Sequence, residues 1–159
     1  MWFFMITCYI SSLITFLCLV LAFSQSFFKF DIFHANHITF IILTSIIYSF
    51  TETLVIFFFV GTGVSVKEYC LDHKLDPSYH KRSIAIKRKV YPPLMKNLGL
   101  MIIVFILAGA VDTGRVPAWI YQALFLFGIW HYVRIKVIQN ECFKDNTNIV
   151  LEMSGLKKV

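Results

Sequence analysis

Residues 38–66 read ITFIILTSIIYSFTETLVIFFFVGTGVSV, and Glu52 is the one charged residue among them. At about 1.5 Å per residue, a helix of this length exceeds the roughly 30 Å hydrocarbon core of a bilayer. Apart from Glu52 the run is uncharged and meets the roughly 17–25 residues that a span needs. It reads as a membrane-spanning helix.

Three further stretches share that character. No Lys, Arg, Asp or Glu precedes Lys29, none lies between Asn97 and Val111, and none between Val116 and Tyr132. The last two runs are short for a span. Leu94 and Met95 lengthen one past Lys96, whose stem can lie along apolar surface while its ammonium reaches water, and Val133 and Ile135 lengthen the other. The first run has no basic residues ahead of it and too long an apolar core for a cleaved leader, so it reads as a retained span. The expected fold is all-α: four transmembrane helices in a bundle, spanning about 2–23, 38–63, 94–112 and 117–135, in one integral membrane domain covering 1–159. Of the 159 residues, 58% are hydrophobic and 15% charged, and the mean hydropathy is +0.71. A soluble domain of this size has too little interior to hide so much apolar surface.

The net charge of +6 is distributed unevenly. Between Lys67 and Lys96 lie eight basic residues against Glu68, Asp72 and Asp76, and the tail adds Arg134, Lys136, Lys144, Lys157 and Lys158. The other two connections carry little beyond Lys29 and Arg115. The positive-inside rule then places the 67–93 loop and both termini in the cytoplasm. That rule accounts for the basic stretch without nucleic acid. Within the loop, Asp76-Pro77 is a helix start, and a basic helix is expected to rest on the membrane surface until Pro92-Pro93 stops it. Its Lys81–Lys89 segment should attract anionic lipid. On the other side, the aromatic segment Ser24–Asn36 (Phe27, Phe28, Phe30, Phe33) should lie among outer headgroups, and Asp112 should pair with Arg115 in the tight turn before Pro117. None of the four cysteines, Cys8, Cys18, Cys70 and Cys142, is placed to form a disulfide in this topology.

Glu52 is the first residue to weigh for chemistry, because an ionised, unpaired carboxyl inside a span costs several kcal/mol. Ser45, Tyr48 and Ser49 fall on the same side of the helix and make a polar stripe that should face the other helices. Depth can be counted along each span. Glu52 and His131 each lie about 21 Å inward from the outer ends at Ile38 and Pro117. Asn97 sits at that depth on the third span, and Tyr9 and Ser11 flank it on the first. Glu52, Tyr48, Asn97 and His131 therefore form the candidate cofactor-binding layer, with a hydrogen-bonded structural cluster as the plainer reading.

Metal sites are weaker. The H-x-x-H pair His34 and His37 fits one helical face but supplies two ligands only, and Cys70, His73 and His80 follow no ligand spacing. The Gly61-x-Gly63 pair follows no strand and points to close packing rather than to a nucleotide. No catalytic motif is present, so enzyme activity is left open.

The leading reading is an accessory or anchor subunit of a larger membrane complex, such as a respiratory one, whose partners are lipid and other membrane subunits or further copies of this chain. The alternatives are a redox or proton-handling protein with haem or quinone near Glu52 and His131, and a small oligomeric channel or transporter.

Overall fold

A computed structural model describes residues 2–32 and 34–155. Phe33, Lys157 and Lys158 lie outside them. The protein is all-α. Among the described residues it has four helices, α1 (Trp2–Phe28), α2 (His37–Asp72), α3 (Ser78–Asp112) and α4 (Ala118–Met153). Three of them, α1, α2 and α3, are long and apolar enough to cross a membrane. Consecutive helices run antiparallel, and α1 closes the ring by packing on α4 as well as on α2. One end carries the two short connectors, 29–36 and 113–117, and is called here the hairpin end. The other, terminal end carries Trp2, the 73–77 loop and Met153.

The helices begin and end where local chemistry dictates. Asn36 accepts from the Thr39 amide and caps α2. Asp76 accepts from the Ser78 amide at the start of α3, and that bond holds its carboxyl below the usual carboxylate range. The α1–α2 connector is tight: Lys29 and His34 adopt left-handed backbone angles, and Ile32 and Ala35 exchange backbone hydrogen bonds.

Several expectations need correction. No separate surface helix exists, because α3 runs unbroken through Pro92 and Pro93. The two prolines remove the amides that would bond the carbonyls of Arg88 and Lys89, but both of these residues are exposed, where water satisfies a carbonyl. Ser83, Ile86 and Val90 bury the same segment against its neighbours. Ion pairs from Arg82 to Glu152 (2.6 Å) and from Lys89 to Glu141 (2.9 Å) hold it beside α4. Likewise α1 and α4 run beyond Phe23 and Ile135, to Phe28 and Met153. Asp112 and Arg115 form no ion pair. Instead the turn is tied by the Arg115 amide donating to the Ala110 carbonyl, with Gly114 at φ +69.

Two apolar cores lie end to end. The hairpin-end core includes Leu19, Tyr48, Met101, Val104, Tyr121 and Phe125. The terminal-end core includes Val55, Phe58, Phe59, Leu94, Cys142 and Phe143. In the latter, Phe59 and Phe143 stack with ring centres 5.1 Å apart while Phe58 meets Phe143 edge-on at 4.8 Å. Close approach is allowed by two glycines. A Cβ on Gly128 would lie 2.7 Å from the Met101 sulfur, and one on Gly63 would run into the Lys87 side chain. Gly61, by contrast, has open space beside it, so only one of the Gly61–Gly63 pair serves packing.

Candidate functional site: a polar layer between two apolar cores

Between the two cores lies a layer of buried polar side chains: Thr15, Thr51, Glu52, Asn97 and Gln139. Each of the four helices contributes at least one, and the layer resolves into three hydrogen-bonded groups.

The first group is built on Glu52, whose side chain is 3% exposed. Lys136 donates to its Oε1 at 2.7 Å, and Gln139 Nε2 donates to its Oε2 at 3.3 Å. Lys136 also donates to Gln139 Oε1 at 3.0 Å, and its ammonium lies 4.6 Å from the centre of the Tyr132 ring. The carboxylate thus has a donor on each oxygen, and the ammonium has two oxygens and a ring face. A charge buried with this many partners avoids the cost of an orphan charge, while either one left alone is strongly unfavourable.

The second group is neutral. Asn97 Nδ2 donates to the Tyr48 hydroxyl at 2.7 Å, and Asn97 Oδ1 lies 3.1 Å from His131 Nδ1. Asn97 thus bridges the two rings, one end of its amide on the Tyr48 hydroxyl and the other on His131 Nδ1. Nε2 of the half-buried His131 ring has no hydrogen-bond partner among the described residues. A histidine oriented through one nitrogen with the other left free is the arrangement found in ligand-holding imidazoles.

The third group ties α1 to α2. The hydroxyls of Ser11 and Thr15 meet Thr51 Oγ1 at 2.5 and 2.7 Å, and the Tyr132 hydroxyl donates to the Ser12 carbonyl at 3.2 Å.

The depth count therefore brings together residues that do sit at one level, but sorts them differently. Tyr48, Asn97 and His131 join in one chain. Glu52 does not bond to any of them and instead meets Lys136 and Gln139. Ser11 lies in the hydroxyl group, and Tyr9, partly exposed, donates to Asn140 Oδ1 at 2.7 Å. Of the stripe expected on α2, Tyr48 is buried but Ser49 faces outward, and Ser45 is half-buried and bonds the Ile42 carbonyl of its own helix. Thr51 takes the buried place Ser49 was expected to hold. Lys136 and Gln139 are the residues that sequence reasoning missed. Their signal is the spacing Tyr132, Lys136, Gln139, which at i, i+4 and i+7 lies on one helical face.

The histidine pair is also revised. His34 precedes the Asn36 cap and stands in the connector with φ +61, so His34 and His37 do not share a helical face. Among the described residues, no three His, Cys, Asp or Glu side chains gather where they could hold a metal. Cys70 is buried in the terminal-end core, and His73 stacks on Tyr69 with ring centres 4.0 Å apart.

Beside the layer, a crevice of about 320 Å³ opens between α1 and α4, lined by Ser12, Leu13, Phe16, Tyr132, Lys136 and Gln139 among others. A larger groove of about 490 Å³ runs between the start of α1 and the terminal halves of α2 and α4, with Phe4, Phe57, Gly61, Tyr69 and Met153 in its walls. Set against known protein families, curated protein sequences and solved structures, the chain matches none.

Proposed function

We propose that the chain is a four-span integral membrane protein, with α4 as the fourth span and both termini in the cytoplasm, serving as an accessory or anchor subunit of a larger membrane complex. The observation that carries this reading is an imbalance between two sides of the molecule at one level. Phe4 stacks near Phe58 and Phe58 meets Phe143, so α1, α2 and α4 are aligned there. On the α1–α2 side, Phe3 is 82% exposed and Phe57 62% exposed at that level. On the α3–α4 side stands the exposed ion pair Lys89–Glu141, with Glu141 on the same turn as Phe143. A flat bilayer cannot suit both sides: either the ion pair lies in lipid or the aromatic surface lies in water. An apolar helix of another subunit, laid along the groove lined by Phe4, Phe57 and Gly61, removes the conflict. The exposed Lys81 and Arg88 on the other side are left for anionic lipid.

The test is extraction from the native membrane in mild detergent, native-gel separation and mass spectrometry of the band. Co-migration with larger polypeptides is expected. Migration of the chain by itself would end the subunit reading.

A second reading has one observation of its own, the free Nε2 of His131 held in place through Asn97. It makes the layer a haem or quinone site. A visible haem band or extractable quinone in the purified protein that disappears in His131→Ala is its expected signature, and a colourless, quinone-free preparation removes it.

A further inference from the structure

The hairpin end holds a cavity of about 550 Å³ that belongs to neither the polar layer nor the groove. All four helices contribute to its wall. Gln25 is fully buried there. Its Nε2 donates to the carbonyls of Phe30 (2.8 Å) and Ala35 (3.3 Å), which fixes the amide orientation, since only nitrogen can face two carbonyls. Its Oε1 is consequently an acceptor, and it is buried with no partner among the described residues. The same is true of Nδ1 on His37, whose Nε2 lies 3.0 Å from the Tyr121 hydroxyl. The buried Tyr121 hydroxyl has no other acceptor among the described residues, so it donates to Nε2 and Nδ1 carries the proton. Gln25 and His37, both in the wall, thus carry one unpartnered acceptor and one unpartnered donor, and a buried polar atom without a partner is costly.

Charges of both signs complete it. Asp31 and Asp112 are exposed at the cavity, as is Lys29. The carboxylates and Gln25 Oε1 suit an ammonium with N–H groups to donate. Lys29 and the His37 Nδ1–H suit a phosphate. Phe27, Phe28 and Phe30 stand exposed at the same end and present apolar surface beside these charges.

We propose that this cavity binds a phosphoethanolamine-type zwitterion, a primary ammonium joined to a phosphate. The chemistry has two sources, the headgroup of a phosphatidylethanolamine lipid and a free soluble phosphoethanolamine.

The experiment uses the full-length protein purified in maltoside micelles, with its unfolding midpoint followed against added ligand. The probes are dihexanoylphosphatidylethanolamine, O-phosphoethanolamine, and the phosphocholine counterpart of each. Trimethylation keeps both charges of the zwitterion and removes every N–H, so the choline forms test the acceptor Gln25 Oε1. A saturable rise in midpoint is expected with the ethanolamine forms, at concentrations about ten-fold below those the choline forms require. Saturation by the lipid alone assigns the headgroup as the source, and saturation by both assigns the soluble zwitterion; either supports the site. The doubly substituted Asp31→Asn/Asp112→Asn protein, altered only at exposed side chains, loses the two carboxylates that face the ammonium and should lose the saturable rise with every probe, while its unliganded midpoint reports that it folds. Native mass spectrometry of the same samples should show one bound ethanolamine ligand in the parent and none in the variant. Equal potency of choline and ethanolamine forms, an undiminished rise in the variant, or no saturable rise would overturn the proposal and leave a cavity filled by water.

Discussion

The polar layer and the hairpin-end cavity are both built from polar side chains on several helices, yet they treat those side chains in opposite ways. In the layer, Glu52 has a donor on each carboxylate oxygen and Asn97 uses both ends of its amide. In the cavity, Gln25 Oε1 and His37 Nδ1 have no partner among the described residues. The layer sits between apolar cores, where an unmet charge is most expensive. The cavity is open at the helix ends, where water or a guest supplies what the protein does not. Saturation marks the layer as the lock between helices, and incompleteness marks the cavity as a place for something else.

That contrast can be broken most severely at Lys136. Lys136→Met leaves Glu52 buried without its cation and should cost about 3 kcal/mol or more, read from denaturant unfolding in micelles. The double variant Glu52→Gln/Lys136→Met should recover much of that loss, because no charge is then stranded. If the single variant is as stable as the parent, the layer is not a lock. Asn97→Leu comes next. It strands the Tyr48 hydroxyl and frees His131, and should cost about 1–2 kcal/mol, since hydrogen bonds between membrane helices are individually modest. An unchanged unfolding midpoint would show that the neutral chain contributes nothing.

Gly128→Ala probes packing rather than polarity. The new methyl meets the Met101 sulfur, the end of a flexible side chain, so the expected loss is about 1 kcal/mol. A Gly128→Ala/Met101→Ala protein should show whether the methyl then fits, by recovering part of that loss. The smallest effect belongs to the terminal end. Asp76 is fully exposed, but its bond from the Ser78 amide lowers its carboxyl value in the folded protein. A lowered value means that the stabilisation is present at neutral pH and is lost as pH falls through the folded value. Asp76→Asn should therefore flatten a shallow acid limb in the stability profile and leave the neutral midpoint nearly unchanged. Lys89→Ala, at an exposed ion pair, should have no measurable effect on stability.

The difference between layer and cavity also explains how much of the molecule is legible in its sequence. The uncharged runs identify α1, α2 and α3, because hydrophobicity is a property of each segment alone. Counting 1.5 Å per residue from the connectors correctly brings Asn97 level with His131, and these two do bond. Partner choice is another matter. Lys136 lies just past the expected end of the fourth span, where the charge bias toward the cytoplasm offers a sufficient reason for any lysine. Its role at Glu52 depends on how α4 is rotated against α2, which depth does not determine. The Pro92-Pro93 pair misleads for a related reason. Proline's local effect is to end a helix, but here burial of Val90 and Leu94 on either side keeps one helix going. The cavity is legible only as scattered residues, since the left-handed turns at Lys29 and His34 bring Gln25 and His37 together and Asp112 joins them from the end of α3.

The unbroken α3 has a mechanical meaning. At Arg88 and Lys89 its hydrogen-bond ladder lacks two rungs in succession, so bending stiffness falls at one defined height. The exposed pairs Arg82–Glu152 and Lys89–Glu141 reach from α3, before and at this joint, to α4. A sideways push on the start of α3 bends this joint before it turns the segment that carries Asn97.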